Sequence, residues 1–362
     1  MSPAALLPTH TNTTQQNSKP YHKKPPLAPV VVGPKTKKAT RPTRKLPKSL
    51  IENARLTPGQ KRPFDPEEHL IYEPPTKIHK MANFGLEGAG ISPNAISEPF
   101  RLFTENAIKQ MRAEIFSEPV LEDCQYASTF CTNMIRGMGH HRAPFTYDVF
   151  KSPEVLSKIS EIAGIDLIPA YDWEIANINV AVKDDPLMAR VTTTGGDDDT
   201  PAFAWHYDSF PFVCVTMLSD CTEMVGGETA IKMASGEIKK VRGPAMGYAV
   251  VMQGRYLEHQ ALRALGGRER ISMVTPFRPK DPLVRDETIL VGVRGISNLA
   301  ELYPQYFEYR LDVLEERFRA QRKEERERER ACRAFDVEEK RAWLEEQRGY
   351  IDSMLQEMYV VE

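Results

Sequence analysis

Apolar and polar positions change rhythm along the chain. After a proline-rich linker from Arg62 to about Ala82, apolar residues recur near helical spacing at Phe100, Phe103, Ile108 and Met111, and again at Val155, Ile159 and Ile162. That spacing predicts two helices with one face on a core. Ser152-Pro153-Glu154 starts the second, with serine as N-cap and proline at the first helical position. Beyond Ile165 the period shortens towards two. Runs at 173–182, 203–210, 212–218, 228–233, 245–252, 257–262 and 270–277 are rich in β-branched and aromatic residues and are separated by Gly, Pro and Asp clusters. They predict a mainly β core with flanking helices, an α+β chain built on a sandwich or jelly roll, and they argue against alternating βαβ units.

From Ser297 the pattern is helical to the end. Glu315 and Arg319, Glu324 and Arg328, and Glu329 and Arg333 stand four residues apart, as ion pairs on a solvated helix do. Leu311, Leu314 and Phe318, then Leu344, Ile351, Leu355 and Met358, supply apolar stripes for docking. A solvated helix surface is the plain reading of this region. A partner-binding coiled coil, and with it an oligomer, is the alternative.

Composition divides the chain. Residues 1–62 hold thirteen Lys/Arg and one acidic residue, Glu52, so a segment of about +12 precedes a remainder near -14 in a chain of net charge -2. Too little apolar surface is available there to offset the ordering of the backbone, which predicts a disordered basic arm over 1–65. Helices and first strands are expected over 83–172, the β core over 173–280 and charged helices over 296–360. The acidic stretch at 195–199 reads as an exposed lip before the first ligand run. The basic run from Lys35 to Lys48 suits a nuclear import signal, a nucleic-acid arm or a solubilising tail. The first twenty residues lack the pattern of a signal peptide and no stretch would span a bilayer. Five cysteines without CxxC spacing indicate neither a disulfide framework nor a zinc cluster. The expected location is intracellular, cytoplasm or nucleus, with no membrane partner.

Candidate chemistry lies in the β-rich part. His206 and Asp208 alternate around Tyr207, so on a strand they face one side. His259 follows Asp208 by 51 residues, after three further β-runs, a distance over which a jelly roll can return one strand to another's side. Two imidazoles and one carboxylate form the facial set that suits non-haem iron(II) and leaves other positions open. Zinc accepts the same ligands, although a structural zinc site closes with a fourth protein ligand and none stands at suitable spacing. An isolated HxD is weak, since a histidine in a β-run is commonly an ordinary core residue. Arg270 and Ser272, beyond a Gly266-Gly267 turn, add a guanidinium and a hydroxyl on one strand face, a pair able to hold a carboxylate. Asn177 and Asn179 share a face of an early strand and suit either a ligand or loop backbone. Trp205, Tyr207 and Phe210 suit a pocket mouth or core packing. Thr216 points inward if its strand keeps register. Glu228 reads as a turn residue, and His140-His141 as a surface loop.

Taken together, His206-Tyr-Asp208, the strand VCVTMLSD, Gly226-Gly227-Glu228-Thr229, the strand beginning at Gly247, Glu258-His259 and Arg270-Ile-Ser272 resemble the double-stranded β-helix core of the iron(II)/2-oxoglutarate dioxygenases. The resemblance covers residues 173–279, about a third of the chain. Gly-Gly-Glu-Thr is similar to a turn of the prolyl-4-hydroxylase-like branch, and Arg-x-Ser to small-molecule oxygenases. The resemblance implies that His206, Asp208 and His259 bind Fe(II) and that Arg270, supported by Ser272, pairs with the far carboxylate of 2-oxoglutarate. It further implies that O2 and 2-oxoglutarate are consumed, with release of succinate and CO2, as a small organic substrate is oxidised, most simply by hydroxylation. A protein hydroxylase or a nucleic-acid or histone demethylase is the alternative, supported by the basic arm as a phosphate-tracking element. Pro276 stands where nucleic-acid repair members place a second arginine. Two classes remain: a non-catalytic jelly-roll scaffold, against which the joint presence of all three ligands and Arg270 speaks, and a cupin-like isomerase, which would have no need of Arg270 and Ser272.

Overall fold

The computed structural model describes residues 26–32, 39–128, 131–182, 204–222, 224–241, 243, 245–262, 264–265 and 269–360. The 195–199 lip and the Gly266-Gly267 turn therefore lie outside the described residues, as do the first 25 residues and 33–38 of the basic arm.

Fifteen strands are present among the described residues: β1 Ile78–Lys80, β2 Asn94–Ser97, β3 Phe100–Arg101, β4 Gln125–Tyr126, β5 Asn133–Ile135, β6 Leu167–Pro169, β7 Asn177–Val182, β8 Phe212–Met217, β9 Val225–Gly226, β10 Thr229–Lys232, β11 Ile238–Val241, β12 Tyr248–Met252, β13 His259–Ala261, β14 Ala264–Leu265 and β15 Glu269–Pro279. The large sheet runs β1-β2-β12-β8-β15-β7-β5-β4, with β3 beside β12 and β6 beside β15. A small sheet runs β11-β10-β13, and β9 pairs with β14. The strand ladders are antiparallel, as a β-rich chain without crossover helices dictates.

β15 shows how the two faces are divided. Ile271, Met273 and Phe277 lie in a cluster shared with the helices Glu105–Ile115, Pro144–Lys151 and Pro153–Ala163, whereas Arg270, Ser272 and Val274 point to the opposite face. A second cluster lies between the sheets, joining Val213, Val250 and Met252 of the large sheet to Ile231 and Val241 of the small one. The inner face of the large sheet is therefore the one that meets the small sheet. A third cluster joins Tyr171, Trp173 and Phe210 to the C-terminal helices through Leu302, Tyr306 and Tyr309.

The expected helix signals are present. Ser152 Oγ accepts from the Val155 N–H at 3.2 Å, Pro153 opens the helix, and Gly164 closes it at φ 71°. The first of the two expected helices begins later than the apolar spacing suggested, because Phe100 sits in β3 and Thr104 Oγ1 caps Glu105–Ile115 through the Ala107 N–H at 3.2 Å.

Within the described part of 1–65, one stretch departs from the expected disordered arm. Lys48–Asn53 is helical, and Leu46, Leu50 and Ala54 are buried in the helix-side cluster. Their four-residue spacing is an apolar stripe that the average composition of the arm conceals.

The C-terminal region forms two helices, Leu299–Arg330 and Val337–Glu357. Phe318 meets Trp343 edge-on, Arg317 donates to Gln347 Oε1 at 3.4 Å, and Arg310 lies 3.3 Å from the centre of the Tyr350 ring. Rising numbers on one helix match falling numbers on the other, so the pair is an antiparallel hairpin docked on the third cluster. Glu315 and Arg319 pair at 2.5 Å as expected. The other two expected pairs do not form: Arg328 contacts Glu325 at 2.8 Å, Glu324 reaches Lys340 of the second helix at 3.1 Å, and Arg333 lies past the helix end. No helix among the described residues is long and apolar enough to cross a membrane. All five cysteines are among the described residues and none is in a disulfide.

Candidate metal centre

His259 begins β13, which pairs with β10 so that His259 lies opposite Ile231 of the inter-sheet cluster. Its ring therefore faces the space between the sheets. His206 is fixed by pairing with His259 itself, and the main-chain N–H of each donates to the carbonyl of the other at 3.0 Å. Residues 204–210 are otherwise irregular, which corrects the expected strand at 203–210. Asp208 is set by its N–H, which donates to the Gly254 carbonyl at 3.0 Å.

These constraints bring the three sequence-nominated side chains together. Asp208 Oδ1 lies 3.7 Å from His206 Nε2 and 3.6 Å from His259 Nε2, and one ligand atom from each residue falls within 4.8 Å of the others. Those separations exceed hydrogen-bond length, so the three converge without bonding one another. His206 Nδ1 donates to the Ala204 carbonyl at 2.8 Å, and His259 Nδ1 to the Leu257 carbonyl at 2.9 Å. A carbonyl only accepts, so each Nδ1 carries a proton and Nε2 is left as the nitrogen that can offer a lone pair to a cation.

The charge environment agrees. Burial lowers the His259 pKa against the raising effect of Asp208, which favours the neutral, ligating form. Asp208 Oδ2 is buried with no hydrogen-bond partner among the described residues. Two free imidazole nitrogens and a carboxylate oxygen still owed a partner fit a divalent cation. His206 is 41% exposed, Asp208 20% and His259 7%, so the centre opens on the His206 side.

Sequence reasoning missed Gly254. A Cβ placed on it would stand 1.8 Å from Asp208 Oδ2 and 2.6 Å from Cγ, so only glycine leaves room for the carboxylate as it stands. Nothing in Gly254-Arg-Tyr marks it as more than a turn, because its role depends on a contact 46 residues back in the chain.

Arg270 lies opposite Ala181 of β7, and Ser272 lies between Asn179 of β7 and Met217 of β8. All share the inward face. Burial lowers the Arg270 pKa, and among the described residues the titratable neighbours acting on it are the Cys221 and Cys131 thiols rather than a carboxylate. Asn177 is held by its Nδ2, which donates to the Glu174 carbonyl at 3.0 Å and to Glu174 Oε2 at 2.8 Å. The Oδ1 atoms of both Asn177 and Asn179 are buried without a partner among the described residues.

Thr216 does not point inward. It pairs with Met273 and Ala249, both of the helix-side cluster, because the inward positions of β8 are Val213, Val215 and Met217. Phe210 is a core residue against Tyr171 at 5.8 Å, while Trp205 and Tyr207 are half-buried. Glu228 is half-buried just before β10. His140 and His141 are exposed, with His140 Nε2 3.0 Å from Asp148 Oδ1. Among the described residues no second group of three His, Cys, Asp or Glu side chains gathers as His206, Asp208 and His259 do.

No protein-family model matches the sequence, and no curated protein matches it. Among solved structures, the chain is similar to an oxidoreductase of the 2OG-Fe(II) oxygenase family from Burkholderia pseudomallei, with 13% identity over 40% of this chain and 65% of that one and a TM-score of 0.30. It is similar to a Pseudomonas putida prolyl-4-hydroxylase, with 17% identity over 51% of this chain and 88% of that one and a TM-score of 0.30. It is also similar to AviO1 from Streptomyces viridochromogenes Tue57, with 12% identity over 58% of this chain and 98% of that one and a TM-score of 0.37. The match to the Burkholderia protein spans just under two thirds of that protein's length.

Proposed function

We propose that this protein is an iron(II)- and 2-oxoglutarate-dependent dioxygenase with a double-stranded β-helix core that oxidises a small organic substrate. The observation that carries the reading is the meeting of His206 Nε2, His259 Nε2 and the Asp208 carboxylate between two antiparallel sheets. In this reading the two imidazoles supply neutral donors and Asp208 supplies the one negative charge, a set that suits iron(II) and leaves room for a chelating cosubstrate. The carbonyls of Ala204 and Leu257 keep both rings in the ligating tautomer.

Arg270 is the residue that selects 2-oxoglutarate. Its guanidinium, on the inward face and without a carboxylate neighbour among the described residues, would take the far carboxylate in a two-pronged hydrogen bond, and Ser272 Oγ would donate a third. Bound iron with 2-oxoglutarate and O2 supplies an oxidant strong enough for an unactivated C–H bond, with succinate and CO2 as co-products. The chain's own part is to orient substrate beside the centre and to limit the entry of water. The choice of a small substrate rests on the Arg270-x-Ser272 pair.

The test is succinate release from 2-oxoglutarate by the purified, iron-loaded chain, with metabolite fractions, peptides and nucleosomes offered in parallel. Stimulation by a metabolite fraction, lost in His206→Ala, supports the reading. Stimulation by peptides or nucleosomes alone replaces the substrate class, and undiminished turnover in His206→Ala removes the ligand assignment.

A further inference from the structure

Residues 285–294 lie between the candidate metal centre and the C-terminal hairpin, with hydrogen bonds on both sides. Towards the centre, the Ile289 N–H donates to the Ser209 carbonyl at 2.9 Å and the Gly292 N–H to Ser209 Oγ at 3.2 Å. Ser209 directly follows Asp208. The contact is close, since a Cβ on Gly292 would stand 2.8 Å from Ser209 Oγ. Arg255, next to the Gly254 that receives the Asp208 N–H, donates through Nε to the Glu287 carbonyl at 3.0 Å. This strap therefore grips both segments that fix the Asp208 carboxylate.

Towards the hairpin, the strap is fastened by the Glu357 side chain and, further along, by Arg310. Glu357, the last residue of the final helix, accepts through Oε2 from the Leu290 N–H at 2.6 Å and from Arg294 Nη2 at 2.7 Å. Arg294 also donates to the Glu357 carbonyl at 2.7 Å and to the Tyr359 hydroxyl at 3.0 Å. Deeper in the hairpin, the fully buried Arg310 donates to the carbonyls of Asp286 at 3.2 Å and Tyr350 at 3.1 Å. Glu357 and Arg294 are both nearly buried, so their charge-assisted contacts are strong and directional.

From this chain of contacts we propose that Glu357 and Ser209 are positioning residues of the metal centre. The end of the last helix, acting through Leu290, Gly292 and Ser209, sets where the Asp208 carboxylate stands. The C-terminal hairpin is accordingly part of the metal site and not an appendage to it. A ligand carboxylate tolerates displacement of only about half an ångström before affinity falls, so its supporting contacts are read out in metal binding. The proposal rests on the reading of His206, Asp208 and His259 as metal ligands.

The experiment titrates cobalt(II), whose visible bands report ligand geometry, into the full-length metal-free chain. Wild type, Ser209→Ala and Glu357→Gln are compared, with circular dichroism and urea unfolding of each metal-free form. Wild type is expected to bind one cobalt(II), with both variants roughly 10-fold weaker or more and their bands shifted. Lower stability with an unchanged dissociation constant and unchanged bands in folded Glu357→Gln marks a merely structural role and overturns the proposal. Should Glu357→Gln fail to fold, Ser209→Ala decides alone, and wild-type affinity and bands there overturn it equally. A wild type that binds no cobalt(II) refutes the ligand reading itself, which is a distinct outcome and takes the proposal with it.

Discussion

His206 and His259 are hydrogen-bonded main-chain partners, exchanging two N–H to carbonyl bonds of 3.0 Å, with ring centroids 4.4 Å apart. Two candidate ligands from distant parts of the chain thus share one local rigid unit. Each ring is then turned by its own Nδ1, which donates to a carbonyl two residues earlier. Asp208 joins them through Gly254, so the third candidate ligand depends on a contact made by the turn before β13.

Gly254→Ala tests that dependence. The new Cβ would compete with Asp208 Oδ2 for the same space, while the turn itself has no side chain to lose. Cobalt(II) or iron(II) affinity is expected to fall at least about 10-fold. Circular dichroism should remain that of wild type, and unchanged affinity would show that the carboxylate is not placed by this contact.

Much of this centre was legible in the sequence, for a physical reason. The ligand types are rare enough in β-runs that His206, Asp208, His259 and Arg270 stand out together, and strand alternation in β15 placed Arg270 and Ser272 on one face correctly. Alternation failed where its premise failed. His206 and Asp208 share a face through a bridge and an irregular turn, not a strand, and Thr216 required knowing which residue of β8 faces the small sheet. Gly254, Ser209 and Glu357 were invisible because each acts across a long-range contact that no local pattern encodes.

The His259 pKa is lowered, so in the metal-free protein the unfolded chain takes up this proton first as pH falls. The associated stability is complete above the unfolded value near 6.5 and is lost as pH falls through that value towards the lower folded one. Urea unfolding at pH 7.5 and 5.5 should show a drop that is smaller in His259→Gln. An equal drop in both proteins would assign the pH dependence elsewhere.

Arg136 and Glu174 form a buried ion pair, with Arg136 Nη2 donating to Glu174 Oε1 at 2.7 Å and Oε2 at 2.9 Å, and Glu174 in turn orients Asn177 on the inward face. Glu174→Gln leaves a buried guanidinium unpaired and is expected to cost about 3 kcal/mol or more. The double change Arg136→Met with Glu174→Met should cost less than Glu174→Gln alone. Chemical denaturation of the three proteins checks the order.

Leu50 is 3% exposed within the helix-side cluster, although it belongs to a stretch whose composition is that of a tail. Leu50→Ala is expected to lower stability by about 2 to 4 kcal/mol. A change below about 0.5 kcal/mol, typical of a surface site, would mean that Lys48–Asn53 is not docked in solution.

The most direct measurement is an anaerobic titration of the full-length chain with iron(II) and then 2-oxoglutarate, watched for the weak visible charge-transfer absorption of the chelate. Wild type should develop the band, Asp208→Ala should bind neither metal nor cosubstrate, and Arg270→Ala should keep iron(II) while requiring at least about 10-fold more 2-oxoglutarate. A wild-type chain that binds iron(II) but gives no band and retains no 2-oxoglutarate would contradict the dioxygenase assignment.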